Sequence, residues 1–133
     1  MCIFCEIAKG AIPSHKLYED EQVIAFFDIN PTSYGHALVV PKEHCDSFLT
    51  CKKETLDHVF EVAQALANRL KENLNCEGVN ILTNCGSAAG QSVEHFHVHI
   101  IPRYEDSPKD NVHIQFGEIG EINFEALLTN TKR

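Results

Sequence analysis

Basic residues are scarce in this chain: Lys and Arg total 11 against 19 Asp and Glu, for a formal net charge of -8. That balance excludes non-specific nucleic-acid binding, which needs a positively charged face. A nucleotide is a different case, because a few local donors can hold a phosphate inside an acidic protein. No apolar run approaches the ~20 residues that cross a bilayer, so no membrane span is expected. The opening Met1-Cys2-Ile3-Phe4-Cys5-Glu6 lacks the basic start and long apolar stretch of a secretion signal. A cytoplasmic protein is therefore expected. Internal repeats, low-complexity tracts and linkers are also absent. The 133 residues, 44% of them hydrophobic, are expected to form one domain over 1–133, with a partly irregular tail from 103 to 133.

There are six cysteines: Cys2, Cys5, Cys45, Cys51, Cys76 and Cys85. Without a secretion signal, free thiols are expected, and metal ligation is the better reading of a close pair. Only Cys2 and Cys5 form a C-x-x-C pair. Cys45, Cys51, Cys76 and Cys85 read as ordinary small side chains. A redox C-x-x-C of the thioredoxin type follows a strand, whereas only Met1 precedes this one. Two unrelated buried thiols, or part of a four-ligand zinc site, remain as alternatives.

Along the chain, His15 to Glu19 and Gln22 to Asp28 read as strands joined at Asp20-Glu21. A turn-rich loop from Ile29 to Gly35 leads to a strand from His36 to Val40, ended by Pro41. Leu56, Val59, Phe60, Ala63, Leu66, Ala67, Leu70 and Leu74 recur at spacings of three and four, which predicts an amphipathic helix over Lys53–Leu74. Asn75 to Gly78 is its stop. Gly78 to Thr83 reads as a strand, followed by a glycine-containing loop over 84–92. A short helix is expected near Phe124 to Leu128. Five strands and one main helix in this order predict an α+β fold with a mostly antiparallel sheet.

The densest signal is Glu94-His95-Phe96-His97-Val98-His99-Ile100-Ile101. On a strand, alternate side chains share a face, so His95, His97 and His99 lie together while Phe96, Val98 and Ile100 face the core. A polar exposed strand is the bland explanation, and three alternating histidines make it a poor one. Two chemical readings follow. The imidazoles ligate a catalytic metal, or one of them attacks phosphorus and its neighbours tune it. The loop ending in Gly90-Gln91-Ser92 offers backbone N–H groups and side-chain donors suited to a phosphate, which favours the second. His15, His58 and His113 lie outside this pattern, and His58 reads as solvated.

His95-Phe96-His97-Val98-His99-Ile100-Ile101 resembles the H-φ-H-φ-H-φ-φ signature of the histidine triad superfamily, φ being apolar. The resemblance extends to Ala89 through Val93, to Gly35 through His44, and to Cys2 through Ile7. It implies a homodimer with a short N-terminal helix, about five mostly antiparallel strands and one long helix. It also implies binding of a purine nucleotide conjugate, such as a phosphoramidate or dinucleoside polyphosphate, and cleavage at its α-phosphate. By resemblance, His97 is the nucleophile of a nucleotidyl-histidine intermediate that water then hydrolyses. His99 and His36 flank it, and Ser92 and Gln91 donate to the phosphate and leaving group. Asp28 accepts the ribose hydroxyls, and Ile29 lies at the base. Asn84, Gly90 and Val93 complete the nucleotide contacts. The sequence Ile101-Pro102-Arg103-Tyr104 resembles the bacterial and fragile-histidine-triad branches, and the chain lacks the C-terminal tryptophan of the phosphoramidase branch.

Some branches of the superfamily, and the related uridylyl transferases, carry a structural zinc on Cys-x-x-Cys and two histidines. The resemblance implies Cys2, Cys5, His44 and His95 as ligands here. The implied role is to pin the N-terminus to the triad. A regulatory nucleotide-binding protein with incidental hydrolysis, and a zinc hydrolase with its metal at the triad, are the competing functional readings.

Overall fold

The structure, a computed structural model, describes residues 1–132. Strands β1 (Lys16–Glu19) and β2 (Val23–Phe27) form a hairpin whose turn is set by Asp20. Its Oδ1 accepts the N–H groups of Gln22 and Val23, both at 2.8 Å. These side-chain bonds reinforce the backbone pair across the turn, in which the Asp20 amide donates to Val23 O at 2.9 Å. β3 (Ala37–Pro41) pairs with β2, and a sheet of five strands results in the order β1-β2-β3-β5-β4. Here β4 is Gly78–Leu82, β5 is Val98–Arg103, and every pairing is antiparallel. The fold class is the α+β arrangement expected from the sequence.

The long helix α2 covers Lys53–Leu74, the span that its apolar spacing marks out. Val59, Val62, Ala63, Leu66 and Leu70 bury its inner stripe. They pack on Val23, Ala25, Ala37, Val39, Phe96, Val98 and Ile100 from one face of the sheet. Asn75 ends the helix at φ +57°, a left-handed position that Asn tolerates. The opposite sheet face carries Ile24, Phe26, Leu38 and Val40 beneath Phe4 and Ile7 of a short N-terminal helix, α1 (Ile3–Ala8). The sheet is thus buried on both sides, by a large layer and a small one. The small layer holds the candidate site.

Gly35 connects the turn-rich loop to β3 at φ +93°, where an L side chain is strained. A Cβ there would strike Leu74 Cδ1 and lie 3.3 Å from Pro102 Cγ. Gly35→Ala is expected to cost about 2–3 kcal/mol in urea denaturation and to displace the adjacent His36. A change below ~0.5 kcal/mol, within the range of an ordinary surface substitution, would contradict this packing.

Two sequence expectations change here. Cys45 and Cys51 are not independent small side chains: they are joined in a disulfide, with Cα atoms 5.3 Å apart. The six-residue separation hid this pairing because the turn at Ser47, which folds 45 and 51 together, has no strong sequence mark. Ser47 O accepts the amides of Thr50 and Cys51 at 3.1 and 3.2 Å. His58 is not simply solvated either: its Nε2 lies 2.7 Å from Asp20 Oδ2, tying α2 to the β1–β2 turn. Burial alone would raise the Asp20 carboxyl, but hydrogen bonds from His58, the Gln22 amide and Tyr18 outweigh it and hold it below the usual range.

The tail ends in α3 (Phe124–Thr131), longer than the expected 124–128 segment. Asn123 caps it by accepting the Ala126 amide at 3.0 Å. No residue of α3 is buried, and Phe116, Phe124 and Leu128 are exposed.

Candidate functional site

His95 and His97 precede the regular strand, and only His99 lies within β5. The expected strand therefore starts later than its alternating pattern suggests. The alternation survives because other contacts hold the extended backbone. The Phe96 amide donates to Cys45 O at 2.7 Å, and the Thr83 hydroxyl donates to His97 O at 2.7 Å. Phe96, Val98 and Ile100 enter the core under α2, while the three imidazoles turn toward α1. Phe4 stands edge-on to both His95 and His97, with centroids at 5.9 and 4.9 Å.

Burial keeps these rings neutral at pH 7. It pushes His36 and His97 below the ordinary imidazole value, against the pull of Asp28 on both and of the His95 carbonyl on His97. Burial, reinforced by the fields of His97 and His36, brings His99 down to about 4. Each neutral ring carries one proton, and the partners decide where. His97 Nδ1 sits 2.7 Å from the His95 carbonyl, so Nδ1 holds the proton. Its Nε2 is left with a free lone pair and, among the described residues, no hydrogen-bond partner. His36 Nδ1 accepts the Thr32 amide at 3.2 Å, so its Nε2–H donates to His99 Nδ1 at 3.0 Å. His99 then carries its own proton on Nε2. Asp28 Oδ2 stands 3.7 Å from His36 Nε2.

Asp28, His36 and His99 bring their ligating atoms close enough for a cation. The proton arrangement argues against one. A metal at His36 Nε2 would displace the proton that the Thr32 bond fixes there.

The depressed histidines fix the sign of a pH effect. The unfolded chain takes up protons below about 6.5, and the folded state refuses them until near the lowered values. Stability is full above ~6.5 and falls as pH drops through that window. Melting curves from pH 7.5 to 4.5 are expected to show the loss, with a shallower slope in His99→Gln. Equal slopes would contradict the burial of a neutral His99.

A cavity of about 390 Å³ opens beside the rings, within the usual size of small-molecule sites. Its walls are largely apolar: Ile3, Phe4 and Ile7 of α1, then Ile12, Phe26, Leu38 and Val93. Asp28, Ile29, Ser92, His97 and His99 line it as well. Of the expected site residues, His36 stands behind His99, and Asn84, Gly90 and Gln91 are not among the lining. Asn84 Nδ2 reaches Gly90 O at 3.5 Å. Gln91 is committed elsewhere: its Nε2 donates to Asp46 O at 2.6 Å and to Val93 O at 3.0 Å, and its Oε1 accepts the Gly86 amide at 2.8 Å. It braces the loop around the short 3-10 turn Ser87–Ala89. The contribution of α1 to the cavity was not read from the sequence. Phe4 and Ile7, three residues apart beside the cysteine pair, were the available signal. A larger depression of about 550 Å³ lies among Glu77, Arg103, Tyr104 and Asp110 and includes none of the triad.

The second cluster joins the Cys-x-x-Cys pair to two histidines. Cys2 Sγ is 3.2 Å from His95 Nδ1, Cys5 Sγ is 3.5 Å from the same atom, and Cys5 Sγ is 3.3 Å from His44 Nδ1. A tetrahedral zinc with ~2.3 Å sulfur and ~2.0 Å nitrogen bonds spaces its ligands ~3.3–3.8 Å apart, so the donor set fits. The second ring nitrogens are occupied as such a site requires. His95 Nε2 donates to Pro41 O at 2.7 Å, and His44 Nε2 meets Asp46 Oδ1 at 3.1 Å. Both Nδ1 lone pairs are thereby turned to the thiols.

A five-stranded antiparallel sheet with three neutral imidazoles beside an apolar cavity describes a histidine-centred site for small molecules. The chain belongs to the histidine triad family: it matches the HIT domain over residues 9–106. It is 43% identical over 132 residues to an uncharacterized HIT-like protein of Methanocaldococcus jannaschii, covering 99% of both chains. It is 41% identical over 131 residues to the adenosine 5'-monophosphoramidase HNT1 of Saccharomyces cerevisiae, covering 95% of this chain and 80% of that one. Among solved structures, it resembles a Zn-bound histidine triad family protein from Mycobacterium smegmatis. The TM-score is 0.77 at 37% identity, with 82% of this chain and 79% of that chain covered. Among the described residues, no helix is long and apolar enough to cross a membrane.

Proposed function

We propose that this chain cleaves purine nucleotide conjugates at the α-phosphate, as a hydrolase or nucleotidyl transferase working through His97. The observation that carries the reading is the His97 tautomer. Its Nδ1–H is held by the His95 carbonyl, so the Nε2 lone pair is free beside the cavity.

In the first step, Nε2 attacks the α-phosphorus, the bond to the leaving group breaks, and a nucleotidyl-His97 forms. The proton stays on Nδ1, hydrogen-bonded to the His95 carbonyl, whose partial negative charge offsets part of the positive charge on the ring. The leaving group takes a proton through the Ser92 hydroxyl, the candidate donor at the cavity wall, and the water of the second step returns a proton to Ser92. In the second step, water attacks the same phosphorus from the opposite side and His97 departs. One hard displacement thus becomes two easier ones. His99, oriented by His36 and Asp28, offers its Nε2–H to the phosphate oxygens, a fixed donor of the kind that stabilises charge in the transition state. Asp28 and Ile29 at the cavity rim suit the ribose and base. The bracing of Gln91 makes its part indirect, through the shape of the phosphate loop. The yeast relative, an adenosine 5'-monophosphoramidase, makes a nucleoside phosphoramidate the first substrate class to test.

Cys2, Cys5, His44 and His95 would hold a zinc ion whose contribution is structural, tying α1 and the 44–46 loop to the triad. A homodimer in the cytoplasm completes the proposal. Edge strand β4 has one unpaired side, with Ile81 exposed on it. Together with the uncovered apolar residues of α3, it is the natural site for a second copy. One domain is proposed for the whole chain. Turnover across a panel of adenosine and guanosine phosphoramidates, dinucleoside polyphosphates and nucleotidyl sulfates tests the reading. Clear turnover on at least one is expected. Tight binding with negligible turnover on all would favour the regulatory reading.

A further inference from the structure

The Cys45–Cys51 disulfide occupies a position that the reaction above does not use. It closes a turn in which three consecutive residues do three jobs. His44 presents Nδ1 to Cys5 Sγ. Cys45 carries one sulfur, and its carbonyl accepts the Phe96 amide between His95 and His97 at 2.7 Å. Asp46 meets His44 Nε2 through its carboxylate and the Gln91 side chain through its carbonyl. Cys51 anchors the other end, two residues before α2 and next to its N-cap Lys52. Inside the loop, the Phe48 ring lies against Phe96 and Phe60 with centroids at 6.4 and 6.2 Å. Both cysteines are only half-buried, and Asp46, Phe48, Leu49 and Thr50 in the loop they close are exposed.

We propose that Cys45 and Cys51 form a reversible dithiol–disulfide site at which a cellular dithiol sets the rigidity of the 44–51 loop, and through it of the triad and the phosphate loop. The chemistry is exchange. A thiolate of the reductant attacks one sulfur, the Cys45–Cys51 bond breaks, and a mixed disulfide forms. The released cysteine thiolate takes up a proton. The second thiol of the reductant then attacks the mixed disulfide, frees the other cysteine and leaves the reductant oxidised. Two electrons and two protons pass to the protein. Reduction removes the covalent tie between Cys45 and the start of α2. The Ser47 turn, the Cys45 carbonyl bond to Phe96 and the Asp46 bond to Gln91 remain, now without that tie. Oxidised protein therefore has the firmer site, and reduced protein the looser one.

The proposal rests in part on the nucleotide reading, so its test begins with a measurement that needs no ligand. Alkylation and peptide mass analysis establish whether air-oxidised protein holds the 45–51 bond. Amide hydrogen exchange is then compared before and after a phosphine reductant. Exchange across residues 44–51 and 91–97 is expected to quicken at least ~10-fold on reduction, as opening of a local unit does. A Cys45→Ser, Cys51→Ser double variant is expected to behave like the reduced form and to ignore the reductant. AMP affinity, measured in parallel, is expected to weaken several-fold in the same two forms. Free thiols at 45 and 51 in oxidised protein, or identical exchange in both states, would overturn the proposal. If exchange responds while AMP binds to neither form, the redox site stands and the nucleotide reading fails.

Discussion

His97→Ala is expected to lower turnover of a nucleoside phosphoramidate by about 10⁴-fold while leaving AMP affinity within about threefold, the pattern for loss of a group that acts only in the transition state. The reason lies in the division of labour around the cavity. Binding surface comes from α1, Phe26, Leu38 and Val93, all of which remain; only the edge-on contact of Phe4 with the His97 ring is lost. The attacking lone pair comes from one atom, presented by a single 2.7 Å bond to the His95 carbonyl. Asn makes a further test at the same position, because its side chain can keep a hydrogen bond to that carbonyl but has no basic nitrogen. It is expected to be as inactive as Ala. A variant that retains a tenth of wild-type turnover would remove His97 from the nucleophile's position.

The second large effect concerns the Cys2/Cys5/His44/His95 cluster. Cys5→Ser, or a strong chelator on wild type, is expected to lower the melting temperature by ~10 °C or more, because a bound structural metal adds its binding free energy to the folded state. The cluster joins three segments distant in the chain: the N-terminal helix, His44 just after β3, and the triad. Turnover at a temperature where the variant stays folded is expected to fall by no more than about 10-fold, the scale of a disturbed outer shell. Chelation that abolishes turnover and leaves the melting temperature unchanged would favour the zinc hydrolase instead.

Much of this was legible in the sequence because its signals are local. The α2 boundaries follow from a long apolar stripe ending at an Asn that adopts the left-handed conformation. The face shared by His95, His97 and His99 follows from alternation alone, and it held even where the regular ladder did not reach. What the sequence left dark depends on contacts between distant residues. The proton on His97 is placed by a neighbouring carbonyl whose direction only the folded backbone sets. The neutrality of His99 depends on its burial in β5 between β3 and β4, and the pairing of His58 with Asp20 crosses from α2 to the hairpin. Cys45 and Cys51 meet only because the Ser47 turn closes. Gln91, which in sequence looks like a phosphate donor, is drawn aside by Asp46, 45 residues earlier in the chain.

The most direct measurement is the stereochemical course at phosphorus. An adenosine 5'-phosphorothioate conjugate of known configuration is hydrolysed in heavy-oxygen water, and the configuration of the product is read by phosphorus NMR. Two successive in-line displacements, first by His97 and then by water, predict overall retention. Inversion would mean that water attacks the substrate directly, with His97 no more than a general base, and would contradict the central claim.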